Sequence, residues 1–160
     1  MQAKSYKVIE NHGTVSLVED DAGMKSLFSN KVFKPGEMIS PFFAKETLST
    51  PTYLTLQLDD QQHILLGPAH LQYTNHSCDP NAFFDTTEMK MVALREIQPG
   101  EEITFFYPST EWKMDRAFDC HCGSPRCLKN IQGAFYLTKE QQNHYKLNNF
   151  IIHKIQQTSD

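Results

Sequence analysis

Four cysteines are the whole supply of this chain, and their placement restricts its fold more than any other feature. Cys120, Cys122 and Cys127 fall within the single stretch CHCGSPRC, while Cys78 stands alone well upstream. In a reducing compartment, thiols clustered in this way serve as metal ligands rather than as halves of disulfides. Three clustered cysteines and one distant one make up the four-thiolate tetrahedron of structural zinc. The plainer reading, four buried free thiols, leaves the spacing unexplained. If the zinc reading holds, residue 78 must be drawn to the segment from 120 to 127. His121 competes as a donor, but neighbours in an extended segment seldom both reach one ion, which favours cysteine.

The remainder of the chain fits one compact unit. It has 160 residues, 39% of them hydrophobic, with no internal repeat, low-complexity tract or linker. Lys and Arg total 15 against 19 Asp and Glu, a net charge of −4, which argues against phosphate-driven nucleic-acid binding. No stretch approaches the ~20 apolar residues that span a bilayer, and MQAKSYKVIEN lacks the apolar run of a secretory signal. The expectation is a soluble, intracellular protein. Alternation in TVSLVE and LTLQL marks short strands, so the first two thirds read as mainly β. KPGE at residues 34–37 and QPGE at residues 98–101 place Pro before Gly, which suits the two central positions of a type II turn, and each leads into an apolar stretch read as a strand. Thr138 with Gln141 forms a capping-box pattern, and Tyr145, Ile151, Ile152 and Ile155 give one apolar face. One terminal helix from about Lys139 to Gln156 is predicted.

The densest chemistry lies in NHSCDPN, residues 75–81, which gathers an amide, an imidazole, a thiol and a carboxylate. GEEITFFY follows at residues 100–107, and CHCGSPRC after that. In order and spacing these three motifs resemble the SET-domain protein lysine methyltransferases that carry a post-SET zinc segment, in particular small stand-alone members. The likeness runs from about Val15 to Leu137. It implies a β-clip fold of small curved sheets whose C-terminal segment threads under a loop as a pseudoknot, bringing NHSCDPN and FFY together. The implied organisation is a SET domain over residues 1–118, a post-SET zinc segment over 119–137 and a helical extension over 138–160.

The same resemblance assigns roles. Tyr107 corresponds to the catalytic tyrosine, and Asn75 and His76 to the motif that holds S-adenosylmethionine. Tyr73, Phe118 and the turn containing Gly23, Lys25, Ser26 and Leu27 are expected beside that cofactor. Cys78 corresponds to the cysteine that joins Cys120, Cys122 and Cys127 around one zinc. Phe83, Phe84 and Phe105 are expected at the channel for the substrate lysine, with Tyr73, Phe106 and Tyr107 adding aromatic surface. Such a channel suits the chemistry, because burial and a nearby sulfonium both oppose protonation of an amine whose ordinary pKa is about 10.4. The implied partner is a protein or peptide presenting a lysine, without membrane or direct nucleic-acid contact. Phe at positions 84 and 105, where relatives that stop at one methyl can carry Tyr, implies a di- or trimethylated product.

Departures from the family pattern are equally specific. Ser26 stands in place of the second glycine of the cofactor turn, Gln72 replaces an arginine, and Phe106 replaces the aspartate before the catalytic tyrosine. No cysteine precedes Cys78 in this sequence, so a pre-SET zinc cluster is not expected here. Glu101, Glu102 and Asp79 read most simply as a solvated face. Two other functions compete: a degenerate SET module that binds a peptide without turnover, and a thiol hydrolase using Cys78 and His76. Action on a small-molecule amine or a non-histone protein also stays open.

Overall fold

A computed structural model describes residues 4–158, so the first three residues and the last two of the expected domain boundaries lie outside it. The chain folds as β1 (Tyr6–Asn11), β2 (Val15–Asp20), β3 (Lys25–Ser29), β4 (Met38–Pro41), β5 (Phe43–Leu48), β6 (Thr55–Asp59) and β7 (Gln62–Gly67). There follow β8 (Asn75–His76), β9 (Ala82–Asp85), β10 (Lys90–Ala93), β11 (Thr104–Phe105), β12 (Phe118–Asp119), β13 (Asn130–Ile131), α1 (Lys139–His144) and α2 (Asn149–Thr158). The strands make five small sheets, with orders β1-β2-β3, β4-β10-β9, β5-β7-β6, β8-β11 and β12-β13. All pair antiparallel except β8 and β11, which run parallel, with Asn75 opposite Thr104 and His76 opposite Phe105. The mainly β architecture expected from the sequence is therefore present.

Both Pro-Gly motifs form the expected turns. Gly36 and Gly100 sit at φ of 83° and 85°, and the amides of Glu37 and Glu101 close back onto the carbonyls of Lys34 and Gln98. The strict alternation expected in the strands is not observed. Val15, Ser16, Leu17 and Val18 are all buried, as are Thr55, Leu56 and Gln57. Gln57 is buried because its side-chain oxygen accepts from the Trp112 amide and its NH2 donates to the Asp59 carbonyl.

A main core, including Leu27, Phe33, Ile64, Leu71, Phe84, Met91, Ile97, Ile103 and Phe105, joins the sheets. A second core gathers Phe106, Trp112, Ala134, Leu137, Leu147, Ile151 and Ile155 under the C-terminal segment. Gly133 is needed where these meet. At φ 120° a Cβ there would lie 2.5 Å from the Trp112 carbonyl oxygen, and the close approach lets Ala134 donate to the Glu111 carbonyl.

The single terminal helix predicted from the sequence is instead two. The capping box forms as expected, Thr138 Oγ1 accepting from the Gln141 amide while Gln141 Oε1 accepts from that of Thr138. Tyr145 then leaves the helix, because its ring stacks on Phe106 at 3.6 Å and its hydroxyl donates to the Cys78 carbonyl at 2.7 Å. Asn148 completes the break. Buried between the segments at residues 84–86 and 109, its NH2 donates to the carbonyls of Phe84 and Ser109, and its oxygen accepts from the amide and hydroxyl of Thr86. Ile152, expected on the apolar face, is 41% exposed. Tertiary bonds thus outweigh helix propensity here. Asn148→Ala strips partners from several buried groups at once. We expect a loss of about 2–4 kcal/mol of stability, measured by urea unfolding.

Candidate active site

Two residues from NHSCDPN and two from GEEITFFY meet in the parallel pair, and side chains reinforce so short a ladder. Asn81 accepts from the Thr104 amide and donates to the Glu102 carbonyl and the Glu101 carboxylate. The Asn75 NH2 lies 3.0–3.1 Å from the Lys25 carbonyl, the Ser26 hydroxyl and the Glu102 carboxylate. Glu101 and Glu102 are therefore partly buried acceptors rather than the solvated face predicted for them. Asp79 is exposed and pairs with Arg95. His76 Nδ1 accepts from the Tyr107 amide, which fixes the imidazole against the rings of Phe106, Tyr107 and Phe118. Burial drives its pKa down to about 4, so the ring is neutral at ordinary pH.

Below this crossing opens a cavity of about 220 Å³. Leu54, Leu56, Leu66, Leu71, Phe105 and Met114 supply apolar wall, and Tyr107, Phe118, Thr74 and Glu111 also line it. The Tyr107 hydroxyl donates to the Thr74 carbonyl at 3.3 Å, and its ring lies 4.8 Å from that of Phe105 and 5.8 Å from that of Phe118. Burial, with Glu111 and Glu102 nearby, raises the phenol's pKa, so it works as a neutral hydrogen-bonding group. Glu111 is a buried carboxylate. Its Oε2 accepts from the Gln57 amide at 2.9 Å and the Thr110 hydroxyl at 2.6 Å. Burial pushes its pKa up from 4.5 to about 7, those two bonds acting against the rise.

The four cysteine sulfurs all lie within 4.8 Å of one another, with Cys78 and Cys120 3.9 Å apart. A zinc tetrahedron with Zn–S bonds near 2.3 Å has sulfurs about 3.8 Å apart, so the donor set fits that ion. Exposed His121 is outside the group. Burial raises the thiol of Cys78 and pushes Cys120 up to about 11. For Cys122, burial acts upward but is outweighed by hydrogen bonding, first from the Ser124 backbone, which brings it to about 7. Cys78 lies 3.3 Å from His76 Nε2, the pair the hydrolase reading needs, but it is buried and its sulfur is gathered with three others that fit a shared ion, which counts against its serving as a free nucleophile.

The structure joins most of the residues expected beside a cofactor. Lys25, Ser26, Tyr73, Asn75, His76 and Phe118 are linked by contacts, through the Asn75 bonds, the Lys25 ammonium 4.9 Å from the Tyr73 ring and the His76–Phe118 contact. Gly23 lies apart in the tip of the β2–β3 hairpin, its amide bonded to the Asp20 carbonyl. The Leu27 side chain is sealed in the main core and offers only its carbonyl, which Ile103 already uses. Of the expected channel aromatics, Phe105 and Tyr107 line the cavity. Phe84 is fully buried behind Phe105, with ring centroids 4.7 Å apart. Phe83 packs under Lys146, its ring 4.7 Å from that ammonium, in a separate groove. Phe106 is taken up by Tyr145. Glu111 and Thr74 were not anticipated. The only signal for Glu111 was an acid wedged between Thr110 and Trp112.

Comparison with known proteins agrees with this geometry. The SET domain family model matches residues 24–108, more than half of the chain, and the chain belongs to the SET-domain family. Methyltransferase flvH of Aspergillus flavus is 40% identical over 112 residues, covering 66% of this chain and 62% of that protein. The H3 lysine-36 specific histone-lysine N-methyltransferase of Candida albicans is 40% identical over 68 residues, 39% of this chain and 8% of its own. Histone-lysine N-methyltransferase set9 of Schizosaccharomyces pombe is 37% identical over 67 residues, 41% and 14% respectively. The chain thus matches less than two thirds of the length of each of these relatives. No helix among the described residues is long and apolar enough to cross a membrane.

Glu111 makes stability depend on pH in a defined direction. The unfolded chain releases this proton near pH 4.5 and the folded protein near 7, so the contribution is full below 4.5 and is lost as pH rises through 7. Glu111→Gln, a neutral isostere, removes that loss. We expect the variant to gain on the order of 2–3 kcal/mol over the parent between pH 5 and pH 8, followed by urea unfolding across that range.

Proposed function

We propose that the chain is an S-adenosylmethionine-dependent protein-lysine N-methyltransferase, with Tyr107 as its catalytic residue. The observation that carries this reading is the position of Tyr107. Tyr107 lines a largely apolar cavity, its hydroxyl bonded to the carbonyl of Thr74 on the same wall, while its ring contacts those of His76 and Phe118. A cofactor beside those rings and an amine in the cavity would meet at the phenol.

Bound S-adenosylmethionine supplies an electrophilic methyl group on a sulfonium. The protein's own work is to orient, desolvate and shape. The Asn75 side chain, the Lys25 backbone and the ring of Tyr73 would hold the cofactor. The lining of Leu54, Leu71, Phe105 and Met114 excludes water from the aliphatic arm of the substrate. With its own O–H given to the Thr74 carbonyl, the Tyr107 oxygen can accept an N–H of the amine, which leaves the amine lone pair free to face the methyl group. Relatives named as histone-lysine methyltransferases favour a protein substrate, and labelled cofactor added to a whole-cell extract would identify it. Tyr107→Phe should leave cofactor affinity by calorimetry within about twofold and lower turnover by about 100-fold or more. A fully active variant would overturn the assignment.

Zinc belongs to the same proposal, held by Cys78, Cys120, Cys122 and Cys127. These sulfurs join β8 to the segment from 120 to 127, and the strand β12 just before it carries Phe118 to the site. The metal would fix that wall, while the main core rests on other contacts. We expect one zinc per chain by metal analysis, lost in Cys78→Ser. Chelation should abolish turnover and leave the far-ultraviolet circular dichroism largely intact.

The product is proposed to be di- or trimethyllysine. Phe105 leaves the cavity without the hydroxyl that can anchor a water where a methylated amine must turn. Phe105→Tyr restores such a hydroxyl and should shift the end point toward monomethyllysine, read by mass spectrometry of an exhaustively treated substrate. Phe84 is walled off by Phe105 and the core, so Phe84→Tyr is expected to cost stability rather than reset the product.

A further inference from the structure

The substrate amine arrives as an ammonium, and the reaction needs its lone pair, so a proton has to leave inside a cavity whose wall is largely apolar. Tyr107, a neutral phenol with a raised pKa, donates and does not accept that proton. Glu111 is differently placed. It lines the cavity with Tyr107, and its backbone amide donates to the Tyr107 carbonyl, so the two side chains leave the same tight turn. Both of its side-chain hydrogen bonds fall on Oε2, and Oε1 receives none among the described residues. None of the ion pairs among those residues involves it. A buried carboxylate with a free oxygen and no cation of its own is costly to keep ionised. An incoming ammonium is the group that would complement it.

We propose that Glu111 is a second catalytic residue, the general base that takes the proton of the substrate ammonium in the cavity. The inference rests on the methyltransferase reading. In the step, a proton passes from the ammonium nitrogen to Glu111 Oε1, leaving a neutral amine and a neutral carboxylic acid. The amine lone pair then bonds to the methyl carbon of S-adenosylmethionine. The carbon–sulfur bond breaks, and its electron pair stays on sulfur as a neutral thioether. The product is an N-methylammonium, and Glu111 gives its proton to solvent before the next cycle. In low dielectric the neutral pair is favoured over the ion pair, which drives the transfer forward. A base that titrates near 7 is matched to work at neutral pH.

Other titratable groups on the cavity wall are Tyr107, Tyr53 ahead of β6, and Asp115 and Arg116 beyond Glu111. Strand β6 turns Gln57 toward Glu111, and the turn after Gly133 offers only its backbone to it; neither titrates.

The test measures methyl transfer from labelled S-adenosylmethionine to a library of lysine-centred hexapeptides from pH 6 to pH 10.5, using the full chain with its zinc. At pH 7.5, Glu111→Gln should lose about 100-fold or more in turnover while binding S-adenosylmethionine as the parent does. The deficit should shrink steadily toward pH 10, where the free amine supplies its own lone pair. Glu111→Asp, which keeps a carboxylate one methylene further back, should fall between the two. Recovery at high pH is a signature that a structural role for Glu111 would not produce. A Glu111→Gln variant with the parent's rate and pH profile, or one equally impaired at every pH, would overturn the inference while leaving the function standing. A parent protein that binds the cofactor but methylates none of the peptides or extract proteins would overturn the proposed function, and this inference with it.

Discussion

The parallel pairing of two residues with two others, Asn75–His76 with Thr104–Phe105, is the constraint on which the rest of the structure depends. A two-residue ladder is too short to hold itself, and parallel pairs are the weaker kind. It persists because Asn81, Asn75 and His76 spend their side chains on backbone and carboxylate groups of the opposite segment, including the Tyr107 amide. Asn75, His76, Cys78, Phe105 and Tyr107 all lie in or within two residues of this crossing. Tyr107 stands two residues after β11 and lines the cavity, and Cys78 stands two residues after β8.

Around that crossing, the protein uses its C-terminal third as a brace. Tyr145 stacks on Phe106 and bonds to the Cys78 carbonyl, and Asn148 ties the segment to Phe84 and Ser109. Phe84 backs Phe105, and Phe106 precedes Tyr107, so the extension supports the two aromatics in the cavity from behind. This gives a physical account of Phe106, where the family pattern has an aspartate. A charged side chain could not form the stacked contact with Tyr145, and its burial in the second core would carry a heavy desolvation cost. Ser26 in place of a glycine is likewise compatible with the site, since its hydroxyl lies within hydrogen-bonding distance of the Asn75 amide.

The cavity itself combines opposites. Its wall is largely apolar, which lowers the affinity of an amine for its proton, yet one buried carboxylate stands in it and charged Asp115 and Arg116 share its lining. An apolar site alone would raise the barrier to bringing an ammonium in. A carboxylate alone would hold the ammonium and its proton too well. For a substrate amine, a carboxyl group pushed up toward neutrality by burial, as Glu111 is, would moderate both effects.

Much of this was legible in the sequence because the signals were local. Turn chemistry at Lys34–Glu37 and Gln98–Glu101 followed from Pro and Gly in adjacent positions, and the Thr138–Gln141 cap from a spacing of three. The approach of Cys78 to the other cysteines followed from chemistry alone, since thiols so spaced suggest a shared ion. What tertiary structure decided was the use of each side chain whose partner lies far along the chain. Nothing near Tyr145 or Asn148 signals that their bonds to residues 78, 84 and 109 would break the terminal helix. Nothing in AFFD reveals that Phe83 would turn to a separate groove and Phe84 into the core. Glu111, an acid in a polar stretch of sequence, became a buried group in the cavity only when Gln57 and Gly133 closed around it. Residues set by their immediate neighbours could be read in advance, whereas burial, and with it the pKa of Glu111, depends on atoms brought together only by the fold.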